Sequence, residues 1–112
     1  MSAKDYPETP DGRYFVSNGR LWRRTNPALD DTTRRAAVKA LMQARRAVGQ
    51  ASDEAETRAA RDRVDLAKRD LGERGPVWWD DGAPDEGGKH PKNSSYADWW
   101  TGLDAEAQAR GT

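Results

Sequence analysis

The residues Ala47-Val-Gly-Gln-Ala-Ser-Asp-Glu-Ala-Glu56, "AVGQASDEAE", decide the fold of this chain. Gly49 is a candidate helix C-cap, because glycine enters the left-handed conformation that commonly ends helices. Gln50-Ala-Ser52 is then a short connection, and Asp53-Glu-Ala-Glu56 resembles a capping box that opens a second helix. Upstream, the pattern predicts a helix over about 30–48, starting near Asp30–Thr32. Its Ala37, Leu41, Ala44 and Val48 are spaced 4-3-4, a narrow apolar seam that Val38 and Met42 widen. Downstream, a helix over about 53–71 repeats the spacing with Ala60, Val64, Ala67 and Leu71, and Gly72 ends it. Its outer face offers Glu54–Arg58, Arg58–Asp62, Arg61–Asp65 and Asp65–Arg69 at i,i+4, each worth a few tenths of a kcal/mol. Two matching seams joined by a short link predict an antiparallel αα-hairpin.

Further outward on the N-terminal side, residues 13–24 read as a β-hairpin. Asn18-Gly19 supplies the two positive-φ positions of a type I′ turn, and the flanking residues alternate. A lone two-stranded hairpin is marginal in water, so it is expected to pack on the helix pair. Asn26-Pro27 resembles a cap with a first-turn proline, opening a short turn through Leu29. Residues 1–10 read as a flexible arm. On the C-terminal side, residues 75–102 carry Gly75-Pro76, Asp81-Gly82, Ala83-Pro84, Gly87-Gly88 and His90-Pro91, an irregular segment rich in turns and tryptophan. It is expected to act as a clasp that presses tryptophan against the helices. Ser95-Tyr-Ala-Asp98 resembles a capping box for a short helix bearing Trp99 and Trp100, and 103–112 reads as a frayed tail in which Leu103–Arg110 continue as helix. The predicted class is therefore mainly α (α+β), with one small domain over 11–102.

Composition explains why tryptophan matters. The chain has 112 residues, 35% hydrophobic and 34% charged, with no isoleucine, five valines, six leucines and one phenylalanine. Five tryptophans compensate, since each buries about 150–250 Å². One member of Trp78/Trp79 and one of Trp99/Trp100 should be buried and the other nearer the surface, because successive side chains point to different faces. Alanine and arginine bias fits a bacterial source. The absence of cysteine excludes disulfides, thiolate zinc sites and cysteine nucleophiles. No stretch has the apolar length to cross a bilayer, and MSAKDYPETP lacks the apolar run of a signal peptide, so a cytoplasmic location is expected. Net charge is zero but uneven: Arg13 to Arg46 holds nine basic and two acidic residues, and Pro76 to Thr112 three basic and seven acidic.

Three candidate chemistries follow. Arg13, Arg20, Trp22, Arg23 and Arg24, with Arg34 and Arg35 beyond, form a basic set that would grip phosphates while an aromatic stacks on a base. Trp22 is expected to face the core, which weakens that reading. Trp78, Trp79, Trp99 and Trp100, with the arginines, would instead anchor another protein, since tryptophan and arginine dominate interface hot spots. Asp80, Asp81, Asp85 and Glu86, with His90 nearby, are lesser candidates for a metal or acid–base site. The order lacks the spacing of a calcium loop, and successive turns with carboxylates accepting backbone N–H bonds explain it better. His90 is the only histidine and reads as a solvated loop residue. No catalytic residue, cofactor or metal site is predicted.

The stretches "DGRYFVSNGRLWRRTNPALD", "LGERGPVWWDDGAPD" and "YADWW", together with the helix pair, resemble a small family of bacterial proteins often labelled "biopolymer transporter Tol". The resemblance covers about Asp11 to Trp100 and implies no activity, cofactor or site. The expected role is a non-enzymatic binding or adaptor protein. A protein partner is favoured over nucleic acid, and a metal-dependent enzyme at the acidic loop comes third. Both a monomer and a homodimer built through the helix seams fit the pattern.

Overall fold

A computed structural model describes residues 5–112. Its element order is β1 (Tyr14–Ser17), β2 (Arg20–Arg23), α1 (Asp31–Gln50), α2 (Glu54–Asp70), a 3₁₀ turn (Pro91–Asn93), α3 (Ala97–Thr101) and α4 (Ala105–Gly111). The chain is α+β, with an N-terminal β-hairpin followed by an αα-hairpin. It divides into two compact units: Thr25–Trp78, and the residues up to Arg24 together with Trp79–Thr112.

The Thr25–Trp78 unit is the helix pair. Asp30 caps α1, its carboxylate accepting from the Thr33 amide at 2.7 Å. Asp53 caps α2 through the Glu56 amide at 2.8 Å. Glu56 reaches back to the amide and hydroxyl of Ser52, at 2.9 and 2.8 Å, which completes the capping box one residue earlier than its usual form. Gly49 is not the cap. It lies inside α1, and the extended Ala51 ends the helix with its N–H on the Val48 carbonyl. Asn26 opens its own turn, accepting from the Ala28 amide at 2.9 Å. Gly72, at φ +78, does end α2, where a Cβ would meet Asn26 at 2.8 Å and Trp78 at 3.1 Å.

The seams interlock as the spacing predicts. Ala37, Leu41 and Ala44 on one side, and Ala60, Ala67 and Leu71 on the other, are all buried, and Val64 is partly so. Val38 and Met42 do not widen the seam. They are 43% and 57% exposed, because alanine-lined helices meet along a stripe too narrow to cover the next row. Trp78, from the clasp, lies against the end of α2 beside Gly72.

In the other unit the turn Asn18 (φ 54) and Gly19 (φ 73) sets the register Tyr14↔Arg23, Phe15↔Trp22, Val16↔Leu21. Both hairpin edges are occupied. Residues 5–10, expected as part of an arm, run along β1: the Val16 amide donates to the Pro7 carbonyl at 2.9 Å, and Thr9 is buried. Gly88 and Lys89 bond Leu21 on the outer edge of β2. Residues 1–4 of that arm lie outside the described residues. The inner face of the hairpin, Tyr14, Val16 and Leu21, is covered from within its own unit by Trp79, Tyr96, Trp100 and Gly111. The tail expected to fray is the helix α4, capped by Asp104 on the Ala107 amide at 2.8 Å. Gly111 is buried there because a Cβ would meet Trp100 at 3.0 Å and Val16 at 3.1 Å. Nor does Ser95 cap α3. Its amide and hydroxyl are bound by Glu86, and Tyr96 opens the helix without a side-chain cap.

Candidate functional site

The acidic stretch after the tryptophans closes onto the hairpin arginines. Trp79 packs edge-on against Tyr14 with ring centroids 5.6 Å apart, and its indole N–H donates to the Ala83 carbonyl at 2.8 Å. The Arg13 guanidinium lies over the Trp79 ring at 4.7 Å and that of Arg23 at 5.8 Å, both within cation–π range. Each arginine is then claimed by a carboxylate from the loop: Arg13 by Asp81, and Arg23 by Asp85 at 2.8 Å. Arg23 is buried, 7% exposed, and Asp85 offsets its charge where an unpaired cation would be costly.

Glu86 and Asp11 are committed as well. The Tyr14 hydroxyl accepts from the Glu86 amide at 2.8 Å, and the buried Glu86 carboxylate holds Ser95. The Tyr96 hydroxyl donates to Asp11 at 2.6 Å. Burial by itself would raise the Asp85 carboxyl, but the Gly87 amide and the Arg23 guanidinium outweigh it, leaving Asp85 below the usual carboxylate range. The Arg13 guanidinium, helped by the Ala83 amide, lowers Asp81 likewise. Both carboxyls are therefore ionised at neutral pH. Among the described residues no three His, Cys, Asp or Glu side chains gather as a metal would require. Asp80 is exposed, apart from these pairs. His90 is half-buried, not fully solvated: Nδ1 accepts from the Lys92 amide at 3.1 Å and its ring stands edge-on to Trp100 at 5.8 Å.

The opposite face of the hairpin is the open one. Arg20, Trp22 and Arg24 share the outward phase of β2, and Trp22 is 42% exposed. The expectation that Trp22 faces the core is therefore reversed. Leu21 and Arg23 take the inward positions, because Arg23 has Asp85 to meet there. Trp22 is fixed by its indole N–H on the Ser17 carbonyl at 2.8 Å. Phe15 is its cross-strand partner, and Tyr6 stacks on Phe15 at 5.5 Å. Arg24 pairs with Glu8 at 2.8 Å beside this row.

No family model, no curated protein and no solved structure matches the chain.

The predicted residues thus sort into three places. Arg13, Arg23 and Trp79 join the internal cluster, with Trp100 in the same unit's core. Arg20, Trp22 and Arg24 form the outward face. Arg34 and Arg35 belong to α1 in the helix unit, where Arg34 pairs with Asp31. One member of each tryptophan pair is less buried than its neighbour, and these are Trp78 and Trp99. Tyr6 and Phe15 were missed as site residues. The signal for Phe15 was available, since a two-residue turn at Asn18-Gly19 places it directly opposite Trp22. Among the described residues no helix is long and apolar enough to cross a membrane.

Proposed function

We propose that this chain is a non-enzymatic binding protein that engages a protein partner through the outer face of its β-hairpin. The observation that carries the reading is Trp22: a 42% exposed indole, held rigid by its bond to Ser17 and continued by Phe15 and Tyr6. Exposed, pre-ordered aromatic surface beside arginine is the composition of interface hot spots. Membership of the family that the motifs resemble belongs to the same proposal and brings no activity with it. The test is capture from native lysate by the full chain and by Trp22→Ala, each with and without nuclease. Nuclease-resistant capture that Trp22→Ala abolishes is expected. Capture unaffected by Trp22→Ala would overturn the assignment of this face.

Nucleic acid is the second reading, favoured by the shared outward phase of Arg20, Trp22 and Arg24. Stacking of a base on Trp22 with phosphates on the arginines would follow. Fluorescence anisotropy with labelled single- and double-stranded oligonucleotides at low salt separates the two: micromolar affinity that falls steeply with salt belongs to this reading.

A further inference from the structure

The helix unit carries a second surface that the hairpin reading leaves unused. Along one side of the α1–α2 pair runs an open groove of about 390 Å³, floored by Val48 and Val64 and rimmed by Arg45, Arg61 and Arg74. Every charged rim group is a donor. Arg45 and Arg61 make no ion pair among the described residues, because Asp65 is taken by Arg69 at 2.8 Å and by Arg74 at 3.2 Å. Lys68 follows Arg61 and Val64 along α2, and its ammonium is held below the ordinary lysine range by burial first and then by Arg74 and Arg45. Asp65 pairs with Arg74 and Glu73 acts on Lys68, so the cations gathered here outnumber the carboxylates that meet them. On α1, Val38, Met42 and Arg45 succeed one another at i, i+4 and i+7, so one stripe runs from exposed aliphatic surface to the groove. Val38 and Met42, at 43% and 57% exposure, are among the largest apolar groups left open on the chain.

We infer that this groove receives an acidic amphipathic helix from a partner protein, completing a three-helix arrangement. The stripe from Val38 to Val48 is about 15 Å long, roughly three helical turns, which suits apolar side chains recurring at i, i+3, i+4 and i+7 on an incoming helix. Glutamate or aspartate flanking those positions would meet Arg45, Arg61, Lys68 and Arg74, and charge complementarity would set the partner's sign. Nucleic acid fits less well. The groove offers aliphatic side chains and no aromatic platform for a base. This surface is independent of the hairpin face.

The test uses the full ¹⁵N-labelled chain and two synthetic peptides of about 18 residues. Both carry leucine at i, i+3, i+4 and i+7; one is flanked by glutamate, the other by lysine at the same positions. Expected is saturable shifting of α1 and α2 amides around Val38, Met42, Val48 and Val64 by the glutamate peptide, with the lysine peptide at least tenfold weaker. R45E/R61E should weaken the glutamate peptide at least tenfold with circular dichroism unchanged. If that variant unfolds, R45Q/R61Q should still weaken it several-fold. Trp22→Ala should leave the affinity as it is. Four results would each overturn the proposal: no saturable shift by either peptide; equal binding of both; tighter binding of a thymidylate oligonucleotide at the same amides; or a dimer of the chain alone, seen by light scattering, that Met42→Glu dissolves.

Discussion

The helix pair and the hairpin unit solve one problem, an aliphatic-poor composition, in opposite ways. In the helix pair the core is Ala37, Leu41, Ala67 and Leu71, with Leu29 and Val64 packed against it, and the charges stay outside. Small side chains let the two backbones approach closely, so little apolar volume is needed. In the hairpin unit the rings of Tyr14, Trp79 and Trp100 join Val16 and Leu21 in the core, and it admits charge: Arg23 and Glu86 are both buried. Large amphipathic rings fill space but leave polar edges, and those edges must find partners. The price in the second unit is dependence on contacts far apart in sequence. Arg23 meets Asp85, Tyr14 meets Glu86 and Tyr96 meets Asp11, whereas the caps and ion pairs of the helix unit mostly join residues three or four apart.

The largest expected effect breaks the ring core. Trp79→Ala removes the packing partner of Tyr14 and the ring under two guanidinium groups, and should cost about 3–5 kcal/mol. Near-UV circular dichroism should collapse while amide protection at Leu41 and Ala67 persists. Equal loss at both places would erase the contrast between the units. Leu41→Ala, the matching cut in the helix seam, should cost about 2–3 kcal/mol, read as a lower melting temperature of the far-UV helical signal.

Acid sharpens the comparison further. Asp81 and Asp85 have folded-state pKa values below their unfolded value of about 3.9. Their contribution is therefore present above that pH and lost as pH falls through the lower folded values. As pH falls below about 4, tryptophan fluorescence should report the hairpin unit loosening as the Arg13 and Arg23 pairs are protonated away. Asp85→Asn should flatten that part of the profile. Asp53→Ala deletes the α2 cap and should cost about 1 kcal/mol, with exchange rising first at the Glu56 amide. Smallest of all, Met42→Gln and Trp22→Ala should each shift stability by about 1 kcal/mol or less, since Met42 is mostly exposed and Trp22 lies on the outward face of the hairpin. A collapse of either variant would return that residue to the core.

Much of the helix unit was legible, and for a definite reason. Caps, seams and i,i+4 pairs are interactions over three or four residues, so periodicity alone places Leu41 against its neighbours and Asp53 at a helix start. Even there, Gly49 misled: a glycine near a helix end signals a cap only if the chain needs positive φ, and here Ala51 turns away in extended conformation. Val38 and Met42 misled because the width of a seam depends on how close its partner comes. The hairpin was legible as an element, through Asn18-Gly19 and the alternation around it, but its two faces were not. Alternation separates Leu21 and Arg23 from Trp22 without saying which set is covered. The same ambiguity hid the site. The turn sets Phe15 opposite Trp22, but that this pair faces outward with Tyr6 beside it is known only from strand phase, and Arg61 becomes a groove residue only once Asp65 has chosen Arg69 and Arg74.

The amino-acid sequence by itself determined which segments are helical, where the hairpin turns, and that tryptophan must supply interior. Those follow from backbone preference and short-range spacing. Only the tertiary structure decided that Trp79 and Trp100 are the buried rings, that Arg23 lies inside while Trp22 lies outside, and that the acidic loop neutralises Arg13 and Arg23. A buried charge is tolerated only where its counter-charge arrives, and here that arrival comes from residues more than sixty positions away.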